Sequence, residues 1–221
     1  MIAALKVASV AGLALLVGKA SAFIPWTNPN MNAGNYYISG GGSDNGLCGS
    51  PMLVNAGTTL VYFPFQFSTG ISGGGISSVG DRDTFDLVDA PGSGYSFTSI
   101  SVAENGTYST SGAGQVLSTP VLTVTNLTTL AVFTTNLTVN YSGGIWVALG
   151  SVNITGWTSG EFLRVEIFNT LTATTFGGGD SASIDKSTVQ RDEHGGLEVT
   201  IVPAPASILP LIGALALRRR R

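Results

Sequence analysis

Four aspartates within nine residues form the densest group of ionisable side chains in the sequence. They occupy positions 81, 83, 86 and 89 of a segment that reads Asp-Arg-Asp-Thr-Phe-Asp-Leu-Val-Asp. Closely spaced carboxylate oxygens are the ligands that calcium requires, although this spacing is not that of an EF-hand loop. In an extended strand, Asp81, Asp83 and Asp89 share one face and Asp86 takes the other. Asp81 and Asp83 are therefore calcium candidates, and a solvated strand without a metal is the alternative. Asp180 and Asp185, near a glycine run, form a second candidate group.

Nucleophilic catalysis would need the lone histidine, His194, as a base for a serine or for the lone cysteine, Cys48. His194 lies in the segment Asp-Glu-His-Gly-Gly, which is typical of an exposed turn, and no nucleophile elbow leads into a helix. One cysteine and one histidine also exclude an internal disulfide and a four-ligand zinc site built from them alone. We therefore assign no catalytic residue and no bound cofactor, and we predict that the chain is not an enzyme.

Carbohydrate chemistry is the main alternative. Paired carboxylates can cleave glycosidic bonds, and aromatic side chains can stack on sugar rings. The candidate acids are Glu104, Glu161, Glu166 and Glu198, and the candidate aromatics are Trp146, Trp157 and Tyr141. The sequence gives no distance between any two of the acids, and tryptophans of this kind more often belong to a core.

The charge balance excludes one class of partner. The 221 residues carry 10 basic and 13 acidic side chains, and six of the basic ones lie in the two ends described below. The four that remain against 13 acids give the central region a formal net charge of −9. Binding to nucleic acid depends on basic side chains that neutralise phosphates, so no nucleic acid partner is expected.

The elements that would position these side chains are strands. Apolar residues alternate with others at Leu163, Val165 and Ile167, at Leu197, Val199 and Ile201, and around Trp146 and Ala148. Further strands are expected at 58–67, 84–89, 94–102, 115–126 and 130–141, with the glycine runs at 40–42, 73–75 and 177–179 as loops. The pattern predicts an all-β fold, an antiparallel β-sandwich of jelly-roll-like form.

The N-terminal 22 residues have the order of a secretory signal. A single charge at Lys6 precedes an apolar run over 7–17, and small residues stand at Ala20 and Ala22. The run is too short to span a bilayer as a helix. We expect a signal helix that signal peptidase removes after Ala22.

The C-terminal 20 residues have three parts. Prolines at Pro203 and Pro205 enclose Ala204, an almost wholly apolar segment covers 208–217, and four arginines end the chain: Arg218, Arg219, Arg220 and Arg221. The prolines keep their stretch extended and accessible, and the arginines resist translocation, so the preceding domain would lie outside the membrane. We expect a hydrophobic helix that sits in the membrane during export.

This tail resembles the PEP-CTERM sorting signal of exported Gram-negative proteins, with Pro-Ala-Pro in place of the usual Pro-Glu-Pro. The resemblance covers about 20 residues and implies recognition by an exosortase, the membrane enzyme that processes such tails. It also implies delivery to the envelope, the cell surface or an extracellular polysaccharide matrix, and it implies no chemistry.

The sequence thus predicts a signal peptide at 1–22, a β-sandwich domain at 23–201 and a sorting signal at 202–221. The expected function is that of an exported, non-catalytic surface or polysaccharide-associated protein. The alternatives are a secreted carbohydrate-binding or carbohydrate-cleaving protein, and a surface protein whose tail stays as a permanent anchor.

Overall fold

The computed structural model describes residues 22–90, 93, 95–187 and 196–203. The expected signal helix and the expected C-terminal helix lie outside these ranges. The described residues contain strands, one short 3-10 turn at Asn55–Gly57 and no α-helix. They accordingly include no helix that could span a membrane.

The strands form two antiparallel sheets of eight strands each, so the predicted all-β class is confirmed. In sheet A the order is β1 (Ile24–Pro25), β3 (Tyr36–Ser43), β7 (Gly75–Asp89), β14 (Leu163–Thr175), β10 (Val121–Asn126) and β11 (Val132–Asn136), with β2 (Met31–Asn32) on β3 and β9 (Gln115–Ser118) on β14. In sheet B the order is β12 (Thr138–Ser142), β13 (Ile145–Asn153), β8 (Phe97–Ser111), β16 (Leu197–Pro203), β5 (Thr59–Tyr62) and β4 (Met52–Val54). β15 (Ser181–Lys186) pairs with both β8 and β6 (Ser68–Ser72).

The inner faces of both sheets contribute to one hydrophobic cluster. Alternation decides which side chains enter it, because successive strand residues point to opposite faces. In β14 and β16 the predicted apolar rows are buried. In β13 the buried residues are Trp146, Ala148 and Val152, while Val147 and Leu149 face outward. The inner face of β13 therefore carries the bulky indole, and the aliphatic side chains of Val147 and Leu149 lie on the outer face.

Several strand boundaries differ from the sequence prediction, and proline explains two of the differences. β5 ends at Tyr62, two residues before Pro64, because proline has no N–H for the ladder. The predicted strand at 115–126 is divided at Pro120 into β9 and β10. The predicted strand at 130–141 is also divided, since Leu137 separates β11 in sheet A from β12 in sheet B.

The glycine run at 40–42 is not the loop that the sequence suggested. It lies within β3, where the pairing with β7 shifts register between Ser39 and Gly42. A Cβ atom at Gly41 would lie 2.0 Å from the Trp26 ring. Glycine is required here because the buried indole packs directly on the strand backbone. Of the other two runs, 177–179 lies between β14 and β15, while Gly73 and Gly74 connect β6 to β7 and Gly75 begins β7.

Candidate functional site

The aspartates of β7 divide between the two faces as the alternation predicted. Asp81, Asp83 and Asp89 point inward with exposed fractions of 1%, 0% and 4%. Asp86 lies on the outer face, where Arg164 Nε donates to it at 2.9 Å. The prediction of a solvated strand is therefore wrong, because three of the four carboxyl groups are buried. Burying a carboxylate is costly unless donors or cations compensate for it, so the surroundings of each are informative.

Asp81 is fully compensated by backbone donors. Its carboxylate accepts hydrogen bonds from the N–H groups of Asn45 at 2.8 Å, Leu47 at 2.6 Å and Arg82 at 2.9 Å. Two of these donors belong to the loop that carries Cys48. Asp81 thus fastens this loop to β7 and positions the thiol in the core. Asp89 has a similar role, since it accepts from the Ser159 hydroxyl and from Gly160 N.

Asp83 has no such donors. Neither of its oxygens has a hydrogen-bond partner of ordinary geometry among the described residues, and its side chain is completely buried. Burial raises the pKa of Asp83 to about 7, the nearby Cys48 thiol opposes the rise, and the charge of Asp81 adds to it. At neutral pH this carboxyl group is divided between its acid and its ionised form.

Cys48 faces Asp83 in the same part of the core. Burial is the main cause that raises the pKa of the thiol well above its usual value, and the charge of Asp83 adds to it. Burial likewise raises the pKa of Tyr62, whose hydroxyl lies near both groups and has no described hydrogen-bond partner. A protonated, enclosed thiol of this kind is a poor nucleophile and a poor metal ligand.

Sheet B contributes a buried ion pair to the same region. Lys186 Nζ lies 2.9 Å from Glu104 Oε2, and both side chains have no exposed surface. The ammonium also lies 5.0 Å from the centre of the Phe67 ring. Both charges act on Asp83, with Lys186 lowering and Glu104 raising the pKa of its carboxyl group. We call these residues the core polar cluster: Cys48, Asp81, Asp83, Glu104 and Lys186.

The donor set was compared with what a metal ion needs. Ligand atoms of Cys48, Asp81 and Asp83 all lie within 4.8 Å of one another. Calcium takes six to eight oxygen ligands, whereas this group offers two carboxylates and a thiol. The Asp81 oxygens already accept three backbone N–H groups, and the Lys186 ammonium lies close by. The arrangement therefore fits a calcium ion poorly.

The candidate acids for glycoside hydrolysis occupy different environments. Glu104 is enclosed in the core polar cluster, whereas Glu166 lies on the outer face of sheet A, 3.6 Å from Arg82. Glu161 accepts from Asn126 Nδ2 at 2.7 Å and from Thr158 N at 3.0 Å, and these bonds lower its pKa. Glu198 lies on β16 in sheet B. The structure does not bring Glu104 and Glu166 to a common cleft.

The candidate aromatics are mostly structural. Trp146 is fully buried, with its Nε1 donating to the Asp185 carbonyl at 2.8 Å, and Trp157 packs on Phe97 with ring centres 4.8 Å apart. Tyr141 lies nearer the surface but accepts from Ser118 N at 2.6 Å and packs edge-on against Tyr108. The two tryptophans therefore offer no free ring face of the kind that stacking on sugar requires, whereas Tyr141 keeps 36% of its surface exposed.

The other residues selected from the sequence fall into two groups. Asp180 closes the turn after β14, accepting from Ala113 N at 3.0 Å and Phe176 N at 3.2 Å. Ala22 is exposed, and Pro203 is the last residue of β16. The remaining ones lie outside the described residues: His194, Ala20, Ala204, Pro205 and Arg218 to Arg221.

Sequence reasoning missed the pair of Lys186 and Glu104, although a signal existed. Lys186 follows Ala182 and Ile184 at every second position of β15, and these two are buried. Glu104 follows Ile100 and Val102 in β8 in the same manner. The period of two places both charges on the inner face, and a charged residue at a core position is the pattern that identifies such a pair.

Comparisons with protein-family models, with curated proteins and with solved structures found nothing that matches this chain.

Proposed function

We propose that this chain is an exported, non-catalytic protein of the cell envelope, the cell surface or an extracellular polysaccharide matrix of a Gram-negative bacterium. Its two sheets form a jelly-roll-like β-sandwich that signal peptidase and an exosortase-like membrane enzyme deliver and process. The tail occupies the membrane only during export. The calcium expectation for Asp81 and Asp83 forms no part of the proposal.

The position of β16 is the observation that supports this proposal most directly. β16 is a central strand of sheet B, hydrogen-bonded to β8 on one side and to β5 on the other. Its pairing with β8 continues to Pro203, which lies opposite Phe97. The Pro-Ala-Pro segment therefore begins where the sheet ends, and a processing enzyme acting beyond Pro203 would leave the folded domain complete.

The engagement of the ionisable side chains supports a non-catalytic role. A general acid or base must reach a substrate, usually within hydrogen-bond distance or through one water. Asp83, Glu104 and Lys186 are the described groups with the most unusual environments, and all three are fully buried. Their arrangement suits a structural role in the core better than turnover of a substrate from solution.

Intact-mass analysis of the protein from its native host tests the proposal. We expect a mature species that begins at Phe23 and ends between Pro203 and Ser207, with or without an added group. A matched variant with Arg218 to Arg221 changed to alanine should lose this C-terminal processing while keeping the N-terminal cleavage. Recovery of the wild-type protein with residues 208–221 intact would overturn sorting and support a permanent anchor.

Carbohydrate binding is a second candidate that one surface feature favours. Phe168 is half-exposed on the outer face of sheet A, beside the ion pair of Arg82 and Glu166. The three residues line an open depression of about 270 Å³. An aromatic ring next to charged hydrogen-bonding groups is a common arrangement in sugar sites. Saturable binding of the host's extracellular polysaccharide that Phe168→Ala abolishes would establish this function, whereas unchanged or absent binding would exclude this depression.

A further inference from the structure

The core polar cluster leaves three ionisable groups without the compensation that burial requires. Asp83 extends from sheet A, while Glu104 and Lys186 extend from neighbouring strands of sheet B. Apart from the 2.9 Å contact between Lys186 and Glu104 and the Cys48 thiol beside Asp83, their polar atoms have no hydrogen-bond partner among the described residues. A buried ion pair is favourable only when further hydrogen bonds satisfy its remaining donors and acceptors, and such bonds are missing here.

We propose that Lys186 and Glu104 are joined by an amide bond that forms within the folded core, with Asp83 as the proton carrier. The bond would be an ε-(γ-glutamyl)lysine cross-link between β15 and β8. It converts the buried ion pair into one neutral amide, which removes the cost of keeping two charges out of water.

The reaction balances without any further reactant. Asp83 first carries one proton from the Lys186 ammonium to the Glu104 carboxylate, which leaves a neutral amine beside a neutral acid at the 2.9 Å contact. Lys186 Nζ then attacks Glu104 Cδ, the C–N bond forms and the C–OH bond breaks. Asp83 then carries one proton from the attacking amine to the departing hydroxyl group, which leaves as water, and Asp83 returns to its starting protonation state. No oxidant, metal or activated ester takes part.

Three features of the site favour this reaction. The 2.9 Å contact holds Lys186 Nζ against the Glu104 carboxyl group, and groups held together within one molecule react at high effective concentrations. The core excludes water, which in solution would stabilise the ammonium and the carboxylate. In these ionised forms the two groups do not condense. Burial also holds the pKa of Asp83 at about 7, so its carboxyl group can both accept and donate a proton near neutral pH.

Peptide mapping of the full, denatured chain tests the proposal. Trypsin cannot cleave after an acylated lysine, so residues 83–164 should be recovered joined to residues 165–191. This joined peptide should be lighter by one water than the sum of its parts, and fragmentation should place the bond at Glu104. Recovery of free residues 165–186 at full yield would overturn the proposal. A bond mapped to Asp83 would also overturn it, because the two carboxyl groups would then have exchanged roles.

Substitution of the proton carrier separates chemistry from folding. Asp83→Asn keeps the size of the side chain but cannot carry the proton, so we expect loss of the joined peptide while the β-sheet circular dichroism stays unchanged. Asp86→Asn, on the outer face of the same strand, is the matched control and should keep the joined peptide. A linked Asp83→Asn protein would show that Asp83 has no part in the reaction.

Discussion

At the scale of single residues, burial is the property that separates the aspartates of β7 from ordinary surface acids. Asp81 and Asp83 are two positions apart, yet one accepts three backbone N–H groups and the other accepts none. Their chemistry differs for this reason. The same contrast makes the behaviour of each residue testable by substitution.

Asp83 should make folding stability depend on pH. Its pKa is about 7 in the folded chain and 3.8 in the unfolded chain, so the folded state binds the extra proton between these values. This contribution is complete below pH 3.8 and is lost as the pH rises towards 7. Burial, its largest cause, is the same whether or not Lys186 and Glu104 are linked.

Urea denaturation of the wild type and of Asp83→Asn from pH 4 to pH 8 checks this prediction. The variant has no acidic proton at this position. Its free energy of unfolding should therefore rise relative to that of the wild type as the pH increases, by at most about 4 kcal/mol over the interval. Asp86→Asn is the control and should show no such growth. Parallel stability curves for the wild type and Asp83→Asn would contradict the raised pKa.

Cys48 should be unreactive in the native protein. Its thiol is completely buried and mainly protonated, and Asp81 holds the surrounding loop in place. We expect Ellman's reagent to label it only after unfolding in guanidinium chloride. In Asp81→Asn the loss of charge-assisted hydrogen bonds should speed labelling of the folded protein by about tenfold or more. Rapid labelling of the native wild type would show that this loop opens freely.

At the scale of strands, the period of two carried most of the information that the sequence contained. It predicted the inner rows of β14 and β16 and the division of the β7 aspartates between two faces. It did not reveal which strands are neighbours, because pairing between distant segments leaves no local pattern. The meeting of Asp83, Glu104 and Lys186 depends on that pairing and on the facing of two sheets, so it was not predicted.

Gly106 shows how closely two strands and an indole fit together. A Cβ atom there would lie 1.9 Å from the Asp185 carbonyl oxygen and 2.6 Å from Trp146 Nε1. Gly106→Ala should therefore separate β8 from β15 locally and lower the free energy of unfolding by about 1–3 kcal/mol.

Denaturation of Gly106→Ala beside Gly178→Ala measures this effect. A Cβ atom at Gly178 meets no other atom within 4 Å, so that control should retain the stability of the wild type. Equal stability of the two variants would mean that β15 can move away from β8 without cost. The yield of the joined tryptic peptide in Gly106→Ala would then show whether Lys186 still reaches Glu104.

At the scale of the whole molecule, β16 is the last described strand and lies in the middle of sheet B. A chain that ends at Pro203 should fold with the melting temperature of the domain that carries the tail. A chain that ends at Gly196 lacks β16, a central strand of sheet B, and should not fold. Without Leu197, Val199 and Ile201, the core residues that pack against these three side chains would be exposed to water. Thermal denaturation of both chains checks this, and cooperative melting of the shorter one would contradict it.

The central position of β16 also has a mechanical consequence. If the protein is held at a surface by residues beyond Pro203, a pull on that attachment enters sheet B at its middle strand. The load is then carried along the strand by hydrogen bonds to β8 and β5 together. Bonds loaded in shear must break as a group, whereas those of an edge strand can be peeled away in succession. Attachment through β16 is thus a geometry that resists being torn off by flow.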